Sequence, residues 1–191
     1  MKKIIITLFI VALTWSVNLI AQPKWVFDGA HSNLNFSIVR LTISDVTGSF
    51  QIKDASLTVK SEDFEDATAH LVVDIATIDT DVPDRDTHLQ QPDMLDAKKF
   101  PEAVFHSTSF KKTGDKSYTA MGDLTFHGIT KPVTLSVIAN TGYDEYSSKT
   151  VTGLKVTGII KRSDFEIAPT TPGKVLSDEV TITANLVFVK N

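Results

Sequence analysis

From residue 34 to residue 188 the chain returns repeatedly to one pattern: apolar side chains at every second position, in short runs bounded by turn-forming residues. Leu34, Phe36 and Ile38 alternate with Asn35, Ser37 and Val39, and Ala69, Leu71, Val73 and Ile75 alternate with His70, Val72 and Asp74. Successive side chains of a strand point to opposite faces, so each run predicts a strand with one face against a core. The same spacing recurs over residues 103–112, 117–126, 133–139, 152–160 and 180–188. Residues 48–52 and 57–60 predict two shorter strands, joined as a hairpin by a turn at Lys53, Asp54, Ala55 and Ser56. The polar stretch 141–150, with Gly142, Asp144, Ser147 and Ser148, predicts an exposed loop.

About eight strands follow from this pattern, joined by hairpin-length loops except at residues 77–101 and 163–178, both of which contain prolines. Short strands in hairpin order predict an all-β antiparallel meander, which either stacks into two sheets or closes into a barrel. An eight-stranded barrel has an interior that side chains fill or that holds one small ligand. Small residues on the inward faces, Ala69, Gly122, Ala139, Gly158 and Ala184, favour a cavity.

The long interruption from Asp84 to Pro101 predicts local helix. Pro83 suits a first helical position, Asp84 and Asp86 suit the positive end of the helix dipole, and Pro92 halts the helix after about Gln90. Arg85 and His88 then lie one turn apart and face the same way. A second helical turn is expected over residues 93–99, ended by Pro101.

The chain has 191 residues, 42% of them apolar and 22% charged, which predicts one globular domain over residues 22–191. Residues 1–21 have the make-up of a secretory signal peptide: Lys2 and Lys3, an apolar run from Ile4 to Leu13, then Ala21 as a cleavage residue. Thr14, Ser16 and Asn18 interrupt the run short of the ~20 residues that a membrane span needs. The expected location is therefore periplasmic or secreted, with no transmembrane anchor after cleavage. Removal of the leader leaves 17 basic and 23 acidic residues, a net charge of −6 that excludes nucleic-acid binding by a basic surface. The chain has no cysteine, which excludes disulfides, thiolate catalysis and cysteine metal ligands.

Five motifs occur in a characteristic order. They are Asp28-Gly29-Ala30-His31-Ser32 with Phe36-Ser37-Ile38; Arg85-Asp86-Thr87-His88-Leu89; Asp96-Ala97-Lys98-Lys99-Phe100-Pro101; the run from Gly122 to Val133; and Ile160-Lys161-Arg162-Ser163-Asp164-Phe165. Together they resemble the YceI-like family across Trp25 to Lys190. One departure is that the family's first strand commonly runs into His-Leu-Gly, where this chain has Arg40-Leu41-Thr42.

The resemblance implies an exported antiparallel eight-stranded lipocalin-like β-barrel, with a short helical insertion near residues 84–99, enclosing an apolar pocket. It implies no catalytic residues and no cofactor or metal. The implied ligand is a polyisoprenoid, an isoprenoid quinone or a fatty-acyl lipid, and the assembly is left open, with a homodimer as one state. On that basis Phe36, Ile38, Leu71, Leu95, Phe105 and Leu124 are expected to line the pocket. Phe126, Leu135, Val137, Ile160 and Phe165 are expected there as well. Arg85 and His88, with His31, Lys131 and Arg162, are the candidates for contact with a head group at the mouth. The competing role for Arg85 is an ion pair with Asp81 or Asp164.

Two enzyme readings compete with the carrier. One joins Asp28, His31 and Ser32 into a nucleophilic set, although neighbours in an extended chain seldom face one another and no glycine-flanked nucleophile turn is present. The other gathers His31, His88 and His127 around a metal, without the short spacings of a sharp ligand motif. His70 and His106 fall on strands and are expected to be exposed or half-buried. A solidly packed barrel serving as an interaction module is the third reading.

Overall fold

The computed structural model describes residues 25–59 and 63–191, so the proposed leader, residues 1–21, lies outside the described residues. Eight antiparallel strands close into a barrel in chain order: β1 (Trp25–Arg40), β2 (Ser44–Thr58), β3 (Thr68–Asp79), β4 (Glu102–Lys112), β5 (Ser117–Phe126), β6 (Ile129–Asp144), β7 (Lys149–Lys161) and β8 (Leu176–Lys190). Each strand pairs with its sequence neighbours, and β8 returns to β1, with Phe36 opposite Ile182 and Leu34 opposite Ala184. Alternation makes one face of each strand apolar, and closure turns all those faces toward a common axis.

Between β3 and β4 runs the one α-helix among the described residues, α1 (Pro83–Leu89). Pro83 begins it, and it stops at Leu89; residues 91–100 form turns rather than the expected second helical segment. The turns hold because Asp96 takes a positive φ of 44° while its carbonyl accepts the N–H groups of Lys99 and Phe100. A 3-10 helix, Arg162–Phe165, opens the second long connection.

The hairpin expected at Lys53–Ser56 does not form. β2 runs straight through it, and its pairing with β3 slips between Ile52 and Asp54. The slip lets Ala55 and Leu57 stay buried, at 6% and 3% exposure, so an extra residue in one strand accommodates what looked like a turn. Lys60, the end of the expected second short strand, lies outside the described residues. The real hairpin is earlier, where Leu41 and Thr42 take φ of 53° and 60° between β1 and β2. Asn-Gly is the usual occupant of such a turn, so Leu-Thr carried no turn signal. The loop expected at 141–150 is also shorter: the ladder continues to Asp144 opposite Lys149, leaving only residues 145–148 to turn.

The inward glycines do not leave empty space, contrary to the expectation drawn from Gly122 and Gly158. A Cβ on Gly122 would collide with the His106 carbonyl oxygen and would lie 2.6 Å from the Phe105 ring. A Cβ on Gly158 would collide with Cδ2 of Leu135, and one on Gly48 would stand 2.6 Å from the Phe36 ring. Each glycine is a slot for a neighbouring side chain, which presses flat against the wall.

Gly122→Ala must therefore displace backbone, and is expected to cost at least about 2 kcal/mol, roughly 4–8 °C in melting temperature. Gly158→Ala meets only the tip of a flexible leucine and is expected to cost under about 1 kcal/mol. Thermal melts of the two variants check the order; equal losses would contradict the steric assignment.

Candidate functional site: an apolar channel with a cationic mouth

The inward side chains leave a channel along the barrel axis. Leu71, Phe105, Leu124, Leu135 and Val137 line its inner chamber, of about 130 Å³. Ile38, Leu95, Arg85, His88 and Arg162 line an outer chamber of about 250 Å³, at the end that carries α1 and the 3-10 helix. Phe36, Phe126 and Ile160 border both chambers, which therefore adjoin one another along the barrel interior. Of the expected lining residues only Phe165 is displaced from the channel. It is buried to 1% exposure behind Phe126, their ring centroids 5.8 Å apart, because the chain has by then left strand alternation for the 3-10 helix.

Sequence reasoning missed several lining residues, among them Phe50, Leu154, Leu186 and Phe188 in the inner chamber and Met94 in the outer one. Strand alternation pointed to the first four, since they share a face with residues already chosen. Met94 lies in irregular backbone, where no periodicity applies. Alanines also line the inner chamber, Ala69, Ala120 and Ala184 among them, and these supply the free space that the glycines do not.

The five expected mouth residues part company. Arg85 is half-buried on α1; its Nε donates to Oγ1 of Thr80 at 2.7 Å and its Nη2 to the Thr80 carbonyl at 2.6 Å. Neither expected ion pair, with Asp81 or Asp164, forms; the guanidinium is held instead by the buried Thr80, five residues earlier. Thr80 is itself buried at 3% exposure, and the Asp86 carboxylate accepts both its N–H and its hydroxyl. His88 lines the chamber rim, with Nε2 3.6 Å from Oδ2 of Asp93, both side chains mostly exposed.

Arg162, only 6% exposed, is surrounded by main chain. Its Nε donates to the Ser177 carbonyl, Nη1 to those of Ile167 and Ala168, and Nη2 to those of Thr171 and Leu176. Lys131 stands exposed on β6 opposite Leu124 and borders neither chamber. His31 is a correction too. It lies in a bulge of β1 between Asp28 and Asn33, 74% exposed, with Nδ1 2.8 Å from the Asp28 carboxylate.

That contact brings Asp28 and His31 together as a dyad, but Ser32 does not join it. The Ser32 hydroxyl donates to the Asp28 carbonyl at 2.7 Å and accepts the Val187 N–H at 2.9 Å, which ties the β1 bulge to β8. His127 is occupied on one side: Nδ1 lies 2.9 Å from the Phe165 carbonyl and the ring packs edge-on to Phe100, while Nε2 is buried without a hydrogen-bond partner among the described residues. Among the described residues no three His, Asp or Glu side chains gather as a metal site would require.

The loop around Arg162 is pinned from outside by Asp178, whose carboxylate accepts the N–H of Ser163 at 2.9 Å and its hydroxyl at 2.8 Å. The Ser163 hydroxyl, opposed by partial burial, holds the Asp178 carboxyl below its usual range. A carboxyl depressed in the folded state stabilises it at every pH above the unfolded value, and that contribution fades as pH falls through the folded value. Stability is therefore expected to decline below about pH 4, with Asp178→Asn flattening part of the decline. Urea midpoints measured from pH 6 to pH 2.5 check this; parallel curves for both proteins would contradict it.

The YceI-like domain model matches residues 25–188. The protein YceI of Escherichia coli O157:H7 is 34% identical over 170 residues, covering 87% of this chain and 88% of that one. The crystal structure of Burkholderia cenocepacia BcnA superposes with a TM-score of 0.74 at 24% identity, covering 84% of this chain and 98% of that one. A polyisoprenoid-binding domain from Saccharophagus degradans, implicated in plant cell wall breakdown, superposes with a TM-score of 0.62 at 16% identity, covering 88% and 99%. The alternation, the closed ring of eight strands, the helix between β3 and β4 and a family match across nearly every described residue lead to one conclusion: this chain belongs to the YceI-like family.

Proposed function

We propose that this protein is an exported, non-enzymatic barrel that holds one long apolar chain, of a polyisoprenoid, an isoprenoid quinone or a fatty-acyl lipid, for carriage or storage. The observation that carries the reading is the pair of adjoining chambers inside the barrel, the inner one lined almost wholly by aliphatic and aromatic side chains. Burying a chain there is favourable by roughly 25 cal/mol for each Å² removed from water, with no special polar group needed. Ligand pockets run from about 300 to 1,000 Å³. At about 130 and 250 Å³ each chamber falls below that range and only the two together reach its low end, which favours a single slender chain over a folded or bulky ligand. The polyisoprenoid-binding description of the Saccharophagus domain supports the same class. The Ser32 hydroxyl, taken up by the Asp28 carbonyl and the Val187 N–H, supports binding over turnover.

Native mass spectrometry of protein purified without detergent, followed by organic extraction, tests the reading. A co-purifying chain lipid, or uptake of added prenyl or acyl chains, is the expected result; neither one appearing would sink it. Export is tested by the intact mass of protein recovered from a producing bacterium, which is expected to lack about the first 21 residues.

A further inference from the structure

We infer that the ligand's head group is an anion, a phosphate or a carboxylate, seated at the channel mouth against Arg85 in the field of Arg162. This rests on the reading of the channel as a chain-binding site, and adds which chain-bearing molecules it selects.

The channel's polarity is one-sided. Among the described residues the only charged side chain types bordering the outer chamber are Arg40, Arg85 and Arg162, joined by the titratable His88, and no acidic side chain borders it. A bound chain is therefore oriented, tail inward and head at the mouth. The acids nearby are turned to other work: Asp86 accepts from Thr80, Asp178 accepts from Ser163, and Asp93 lies exposed beyond His88.

Arg162 makes the strongest case. A guanidinium has five N–H donors, and here all five are taken by main-chain carbonyls, so its hydrogen-bonding capacity is exhausted. Its charge is not: carbonyl dipoles solvate the cation without neutralising it, and it makes no ion pair among the described residues. A cation buried to 6% exposure is costly unless a counter-charge comes near; Asp178 attracts it electrostatically from outside the chamber, and no acidic side chain lines the chamber itself. Because no donor remains, Arg162 acts on a ligand through its field rather than by direct contact.

Arg85 supplies the contact. Thr80 holds Nε and one N–H of Nη2, which fixes the plane of the guanidinium, and Thr80 is held in turn by Asp86. The Nη1 donors have no partner among the described residues, and the side chain borders the chamber. One N–H of Nη1 and the remaining N–H of Nη2 run parallel at the end of this fixed plane, and such a pair matches phosphate and carboxylate oxygens. A quinone or alcohol oxygen accepts a bond there but brings no negative charge to a chamber whose charged lining is wholly basic.

The test is a set of tail-matched pairs titrated into delipidated protein: geranylgeranyl monophosphate against geranylgeraniol, and oleate against oleyl alcohol. The anionic member of at least one pair is expected to bind at least about tenfold more tightly. Arg85→Met is expected to bring that ratio to within about threefold, by weakening the anionic member much more than the neutral one. Preference confined to the phosphate pair assigns a prenyl phosphate, and preference confined to oleate assigns a fatty acid; either supports the inference. Equal binding of both members in both pairs would overturn it and leave the chain-binding reading standing. Failure of every member to bind would overturn the two together. The wild-type comparison stands without the variant, so poor folding of Arg85→Met does not weaken it.

Discussion

Arg162→Met is expected to lower the melting temperature by roughly 6–20 °C, a loss of about 3–5 kcal/mol for a domain of this size. The segment 166–175 has no regular structure of its own, and its carbonyls need donors. Arg162 supplies them for Ile167, Ala168 and Thr171, and also for Leu176 and Ser177 at the start of β8. Glu166 and Ala168 take positive φ, 53° and 46°, so the loop follows a path that few side-chain-bearing residues adopt unaided. Methionine keeps the bulk of the side chain but leaves five carbonyls without their donor. Arg162→Lys is expected to fall between the two, since an ammonium offers three donors on one point. A methionine variant melting within about 2 °C of the parent would show that the loop holds itself.

Ala184→Phe is expected to weaken uptake of a prenyl or acyl chain by at least about tenfold while shifting stability by no more than about 1–3 kcal/mol. Ala184 is 3% exposed on β8 and points into the inner chamber between Val156 and Leu34. A phenyl ring there occupies space that is only about 130 Å³ to begin with. Thr181→Phe, placed on the exposed face of the same strand, is the control and is expected to bind normally. The comparison is read by native mass spectrometry with one added chain lipid. Unchanged uptake in the Ala184 variant would mean that the ligand does not reach the inner chamber.

Strand alternation made most of the barrel legible, because a period of two needs only local sequence to be seen. Phe36, Leu71, Leu135 and Ile160 were placed correctly in the channel on that basis together with the family resemblance. Pro83 and the helix dipole marked α1 equally well. What stayed hidden was hidden for physical reasons. Leu41 and Thr42 adopt a turn geometry that neither residue prefers, so the first hairpin left no trace while the bulge at Lys53 imitated one. The partners of Arg162 are backbone carbonyls 5 to 15 residues away, and a carbonyl has the same letter code whatever it bonds. Arg85 was expected to seek an acid and instead found Thr80, although Asp81 is one residue nearer along the chain: Thr80 is buried beside the guanidinium, whereas Asp81 is exposed. His31 was placed at the mouth by motif, but its bulge turns it to Asp28 on the outer surface.

The closure of β8 onto β1 has a consequence for the empty protein. Every strand has a partner on both sides, so no row of main-chain N–H and C=O groups is open to pair with another copy. The ring of strand pairings is complete without a bound chain, so the empty barrel is expected to resist edge-to-edge aggregation whether or not a ligand is held.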